Sequence, residues 1–211
     1  MESPVHRTLP SDLRLIETLA WRRNPGFLNL PEHLGRLERT ARVFGIPYDL
    51  AAIERALGAA RGDLPLRVRL TLGLDGVPEV TVAPFGAGPD IWNARFAAER
   101  LDPGDPWLRV KTTMRARYDS ARASLPRDLH ELIYLNNRGE VCEGTIFNVF
   151  VKVDGLYLTP RLSCGLLPGV LRQILLREGR AREAVLRPDD LRRGQLFLGN
   201  SLRGLCVARL V

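Results

Sequence analysis

The chain has 211 residues, 45% of them hydrophobic and 26% charged, which fits one large or two small globular domains with a real core and excludes a disordered or fibrous class. Its formal net charge of +7 comes from arginines interleaved with acids, as in Glu38-Arg39 and Arg177-Glu178, so no nucleic-acid partner is expected and small anionic ligands are. Residues 1–10 carry no apolar segment of signal-peptide length and no apolar run approaches a membrane span, which points to a cytoplasmic protein with no membrane partner.

Residues 12–21 alternate as a strand and Asn24-Pro25-Gly26 turns it. Pro31 then opens a helix with a stripe of Leu34, Leu37, Ala41 and Phe44, closed by Gly45 and Pro47. A second helix spans 49–60, and strands at 66–72 and 78–84 flank Asp75-Gly76 as a hairpin. These elements define a small α/β domain over 1–101, and the proline-rich stretch 102–106 reads as a linker to a second domain over 107–211. That domain opens with a helix over 114–123. Strands follow at 132–136, 147–153 and 156–159, with turns at Asn137-Arg138-Gly139 and Asp154-Gly155. A helix at 170–177 follows Pro168-Gly169, and strands over 195–198 and 204–211 end the chain. The class is α+β. Cys142, Cys164 and Cys206 are odd in number and far apart, and His6, His33 and His130 are as scattered, so free thiols are expected and metal chemistry is not.

Only two lysines, Lys111 and Lys152, stand against twenty-nine arginines. A guanidinium stays protonated and cannot condense with an aldehyde, so a lysine kept in such a chain is of interest. Lys152 sits in an alternating strand that runs into Asp154-Gly155, an ordinary solvated position. Lys111 follows the 102–106 break in Trp107-Leu108-Arg109-Val110-Lys111-Thr112-Thr113, where no turn or exposed helix accounts for it. It is the candidate reactive amine, with a buried structural lysine as the alternative. Glu143 is an acid at the mouth of an apolar strand, a candidate buried carboxylate or a solvated strand end. Two segments could cradle an anion: the helix start at Leu167-Pro168-Gly169-Val170-Leu171-Arg172, and Gly199-Asn200-Ser201.

Three segments together resemble the fold-type IV pyridoxal phosphate enzymes, also called class IV aminotransferases, over nearly the whole chain. They are Glu143-x-Thr145-x-x-Asn148-Val149-Phe150, then Thr159 with Leu167-x-Gly169-Val170-x-Arg172, and the helix His33-Leu34-Gly35-Arg36-Leu37. The resemblance implies a two-lobed fold, a small N-terminal α/β domain and a larger C-terminal pseudo-barrel, with pyridoxal 5'-phosphate as cofactor. It implies that Lys111 is the Schiff-base lysine, Glu143 the partner of the pyridine nitrogen and Arg36 a phosphate ligand. Val170 and Leu171 would offer backbone N–H groups to the phosphate and Ser201 its hydroxyl; Leu171 stands where many relatives have threonine, so only its backbone is carried over.

The segments 111–119 and Asn200-Ser201-Leu202-Arg203-Gly204 look most like the aminodeoxychorismate lyase branch, particularly the lyase domains fused behind aminodeoxychorismate synthase. That branch converts 4-amino-4-deoxychorismate to 4-aminobenzoate and pyruvate for folate synthesis. Arg203, Arg115 and Arg109 are the candidates for orienting the substrate's carboxylates. An aminotransferase for branched-chain or D-amino acids shares every cofactor residue and is the alternative. A scaffold that kept the fold without activity is disfavoured by the retained Lys111 and Glu143. A homodimer is implied, and an aminodeoxychorismate synthase partner is left open.

Overall fold

In the computed structural model, which describes residues 9–211, the chain divides into two units, each discontinuous in sequence or interrupted by the other. The first comprises the described residues through Ala87 together with Lys111–Met114; the second comprises Gly88–Val110 and Arg115–Val211. The first eight residues, including His6 and most of the polar lead-in in which no signal segment is read, lie outside the described residues.

In the first unit, β1 (Leu15–Arg22) turns into the short β2 (Gly26–Phe27), followed by α1 (Leu30–Phe44), α2 (Leu50–Leu57) and the expected hairpin of β3 (Leu66–Leu72) and β4 (Pro78–Pro84). The strands make an antiparallel sheet ordered β2-β1-β3-β4, with Leu15 opposite Leu72 and Val68 opposite Val82. Leu15, Leu19, Val68 and Leu70 from the sheet pack with Leu37, Ala41, Ile53 and Leu57 from the helices. Pro31 starts α1 with a pre-set φ, and Gly45 ends it at φ 67°, which lets its N–H reach back to the Ala41 and Arg42 carbonyls.

The buried face of α1 is turned from the expected stripe. His33, Arg36, Leu37, Thr40 and Ala41 are buried, whereas Leu34 and Phe44 are only partly so. The cause is Glu17 in the middle of β1, 1% exposed, which draws His33 and Arg36 inward as its partners. Lys111–Met114 belongs here because it lies along the start of β1. Thr112 bridges to Leu15, the Ile16 N–H donates to the Lys111 carbonyl at 2.8 Å, and the Thr113 N–H donates to the Arg14 carbonyl at 2.9 Å.

The second unit begins with β5 (Trp92–Leu101), a 3-10 turn at Pro106–Arg109 and α3 (Ala116–Ala123). β6 (Glu131–Asn136), β7 (Val141–Gly144), β8 (Asn148–Val153) and β9 (Leu156–Pro160) come next, then α4 (Val170–Arg177) and β10 (Ala181–Ala184). α5 (Pro188–Arg193), β11 (Gln195–Asn200) and β12 (Gly204–Leu210) complete it. The eight strands are ordered β10-β9-β8-β11-β12-β5-β6-β7, and a further pairing of β7 with β8 closes six of them into a barrel with β9 and β10 as an extension. Period-two alternation sorts the side chains of β8: Val149 and Val151 join the cluster with Trp92, Ile133 and Leu198, while Phe150 packs on Leu175 of α4 and on Phe197.

The expected domain boundary moves. β5 does not belong to the N-terminal domain but pairs in parallel with β6 and β12 inside the barrel, and 102–106 joins two parts of the second unit, so it is no interdomain linker. Both partners of β5 are distant in sequence, which hides it from a local reading. Among the described residues no helix is long and apolar enough to cross a membrane.

Candidate active site

The barrel closes on one rung, Glu143 opposite Asn148, so the two ends of the Glu143-x-Thr145-x-x-Asn148 pattern are a strand pair. Glu143 is 6% exposed and firmly held. Its Oε1 accepts from the Tyr118 hydroxyl at 2.7 Å and its Oε2 from the Leu167 N–H at 2.9 Å. It is thus a buried carboxylate and not a solvated strand end.

The turn between β7 and β8 is fastened by a second buried acid that sequence reasoning missed. Glu131, fully buried, accepts from the N–H of Thr145 at 2.9 Å and of Ile146 at 3.3 Å, and from the Thr145 hydroxyl. Burial pushes the Glu131 carboxyl up, opposed by the bonds from Thr145 and Leu132 and by the charge of Arg122. Arg122 reaches the Thr145 hydroxyl at 3.1 Å, and Asn200 Nδ2 donates to the Ile146 carbonyl at 3.2 Å.

Both candidate anion cradles meet beside this rung. Asn148 Nδ2 donates to the Leu167 carbonyl at 3.0 Å, and its Oδ1 lies 2.0 Å from where a Cβ on residue 169 would sit, so a side chain there would push the Asn148 carboxamide from its place. The first-turn N–H groups of Val170 and Leu171 have no intrahelical acceptor, and Gly169 brings no side chain to cap them. A Cβ on Gly199 would meet Phe150 Cε2 at 2.7 Å and Leu171 Cδ2 at 3.1 Å, so the end of β11 packs directly against the start of α4. Asn200 shapes the turn between β11 and β12: its Oδ1 accepts from the N–H groups of Leu202 and Arg203 at 3.1 and 2.9 Å. Arg172 anchors α4 from within, fully buried, bonded to the Pro160 carbonyl at 2.7 Å and paired with Glu183.

In the first unit the sequence-predicted Arg36 is 8% exposed and forked onto Glu17, Nε to Oε1 at 2.8 Å and Nη2 to Oε2 at 2.6 Å. His33 Nδ1 is 2.6 Å from the same Oε2. Burial alone would raise the Glu17 carboxyl, but the charge of Arg36 and the bonds from His33 and Arg36 outweigh it and hold it at about 2. Ile16, next to Glu17 on β1, carries the bond to the Lys111 backbone, so one strand positions both Arg36 and the candidate amine.

The three candidate substrate arginines fall in different settings. Arg203 lies with its guanidinium 5.3 Å from the centre of the Trp92 ring, in the turn shaped by Asn200. Arg115 is built into the scaffold: it pairs with Asp119 at 2.8 Å, donates to the Thr145 carbonyl at 3.0 Å and lies over the Tyr118 ring. Arg109 ends the 3-10 turn, where its charge opposes that of the buried Arg172.

A buried carboxylate, an uncapped helix start packed on a small polar turn, and an amine on a chain almost free of lysine fit a phosphorylated pyridine aldehyde. Residues 14–210 match the family described as Amino-transferase class IV, and the chain belongs to it. It is therefore a pyridoxal-phosphate-dependent enzyme. The chain is 32% identical over 196 residues to a Schizosaccharomyces pombe protein named "Putative aminodeoxychorismate lyase", covering 86% of this chain and 84% of that one. Among solved structures, a Mesorhizobium loti protein titled "Putative amino-acid aminotransferase" is 44% identical with a TM-score of 0.88, covering 95% of this chain and 100% of that chain. A 4-amino-4-deoxychorismate lyase from Pseudomonas aeruginosa is 27% identical with a TM-score of 0.78, covering 93% and 82%.

Proposed function

We propose that the protein is a 4-amino-4-deoxychorismate lyase, releasing 4-aminobenzoate and pyruvate for folate synthesis. The observation that carries this reading is the Asn200–Gly204 turn. Its backbone is locked by the Asn200 carboxamide, and its Arg203 is laid on Trp92, a pre-positioned planar cation suited to a substrate carboxylate. Likeness to the named lyases supports it.

Pyridoxal 5'-phosphate, when bound, supplies an aldehyde that takes up the substrate amine and a ring that withdraws electrons from the carbon bearing it. In this reading Lys111 would hold the cofactor through its amine, and the same amine, once free, would serve as the base that removes the proton from the amine-bearing carbon of the substrate. Glu143 keeps the ring nitrogen protonated through a charge-assisted hydrogen bond. By the family resemblance, the N–H groups of Val170 and Leu171, the Ser201 hydroxyl and the Arg36 guanidinium would hold the phosphate. Loss of the enolpyruvyl group with its electron pair on oxygen, followed by protonation of the enol carbon, yields pyruvate and leaves an aromatic ring. Arg203 is the favoured carboxylate ligand; Arg115 serves the scaffold on which Glu143 sits.

The second reading, an amino-acid aminotransferase, is favoured by the 44% identity to the Mesorhizobium loti protein with that title. One experiment separates the two. The lyase forms 4-aminobenzoate and pyruvate in equal amounts from 4-amino-4-deoxychorismate with no oxo acid added. A protein that forms neither, but exchanges amino groups between branched-chain or D-amino acids and 2-oxoglutarate, is the aminotransferase.

A further inference from the structure

We propose that Tyr118 is a positioning residue for Glu143: its hydroxyl holds the carboxylate by Oε1 while the Leu167 N–H holds Oε2, so that the acid meets the cofactor's ring nitrogen in one fixed, ionised form. The inference rests on the reading of Glu143 as the partner of that nitrogen.

Three observations carry it. The bond is short and directed, 2.7 Å from phenol oxygen to carboxylate oxygen, and it joins residues 25 apart in sequence. The tyrosine cannot easily swing away, because Tyr134 meets its ring edge-on at 5.3 Å and the Arg115 guanidinium lies 5.7 Å from its centre. Arg115 is itself tied to Asp119 and to the Thr145 carbonyl, two residues beyond Glu143, so ring and carboxylate are held in one frame.

The chemical consequence lies in the effect of such a bond on a carboxylate. A donor on the ionised form favours that form and makes the acid a weaker base. A pyridinium N–H set against this carboxylate would then keep its proton on nitrogen instead of passing it to Glu143. The donor itself stays protonated: burial and the neighbouring Glu143 charge push the Tyr118 phenol above its usual range.

The test uses the enzyme reconstituted with pyridoxal phosphate labelled with nitrogen-15 in the ring. The nitrogen chemical shift reports how far that atom is protonated, independently of turnover. In Tyr118→Phe the shift should move toward the unprotonated value, with kcat roughly tenfold lower and KM changed less than about twofold. Replacing Tyr118 by 3-fluorotyrosine, which keeps the shape but donates more strongly, should move the shift the opposite way, and this arm stands even if the phenylalanine variant folds poorly. A wild-type shift in both variants, while Glu143→Gln does change it, overturns the role of Tyr118 alone. A wild-type shift in Glu143→Gln overturns the underlying reading of Glu143 as well.

Discussion

Replacing Glu17 by Gln removes the anion from between Arg36 and His33 while keeping the shape of the side chain. The carboxyl is held at about 2 against an ordinary 4.5, a difference worth about 3 kcal/mol of stability at neutral pH. Breaking a buried pair by deleting one partner falls in the same range, about 3–5 kcal/mol, because a buried guanidinium is left without its counter-ion. The sign fixes the pH window. A folded-state value below the unfolded one contributes stability that is complete above the unfolded value and is lost as pH falls through the folded one. Urea denaturation of the cofactor-free protein should therefore show the wild type ahead of Glu17→Gln by about 3 kcal/mol at pH 7, nearly as much at pH 5, and about 2 kcal/mol at pH 3.5. Glutamine does not titrate, so the narrowing belongs to Glu17. A gap that is constant from pH 7 to 3.5, or no gap at pH 7, refutes the reasoning.

Two further predictions concern the cofactor. Borohydride reduction and peptide mapping should place a pyridoxyl group on Lys111; label on Lys152, the one other lysine, exposed on β8 and resting over the Tyr157 ring, would move the reactive amine there. Gly169→Ala should destabilise the protein by about 1–3 kcal/mol and weaken cofactor binding, since a Cβ displaces Asn148 from its bond to the Leu167 carbonyl; unchanged melting and unchanged affinity would show that Asn148 yields without loss.

The sequence is legible wherever structure is local. The β3–β4 hairpin carries its turn between two alternating strands, α1 and α4 carry proline and glycine at their ends, and β8 is an apolar run that stops at Asp154-Gly155. β5 cannot be read that way. Its ten residues include Arg95, Glu99 and Arg100 on exposed positions, and its neighbours β6 and β12 are parallel strands far along the chain. β7 is only four residues long and is hidden within the Glu143 motif. The buried charges escape for a different reason: an acid or an arginine is by default read as surface. A signal does exist for one of them. Glu17 interrupts the apolar run Leu15-Ile16-Glu17-Thr18-Leu19-Ala20, and His33 and Arg36 stand three apart on the helix that comes after it, so they share a face. No comparable pattern marks Tyr118, whose partner Glu143 is reached only through the fold.

The closing rung explains why these motifs must come as a set. Glu143 and Asn148 are the register pair that joins β7 to β8, and the side chain of each also reaches the segment entering α4, Glu143 through the Leu167 N–H and Asn148 through the Leu167 carbonyl. Leu167 is thus gripped on both its donor and its acceptor, and Gly169 two residues on must lack a side chain to let Asn148 in. A change at any of these positions disturbs the barrel seam and the helix start together. Loss of activity in such variants cannot by itself assign a chemical role. Tyr118 lies outside the rung, on α3, so removing its hydroxyl leaves the bonds of Glu143 and Asn148 to Leu167 in place. For the same reason Glu143→Gln is more informative than Glu143→Ala, since an amide oxygen can still accept from Leu167 and keep the seam closed while the charge is gone.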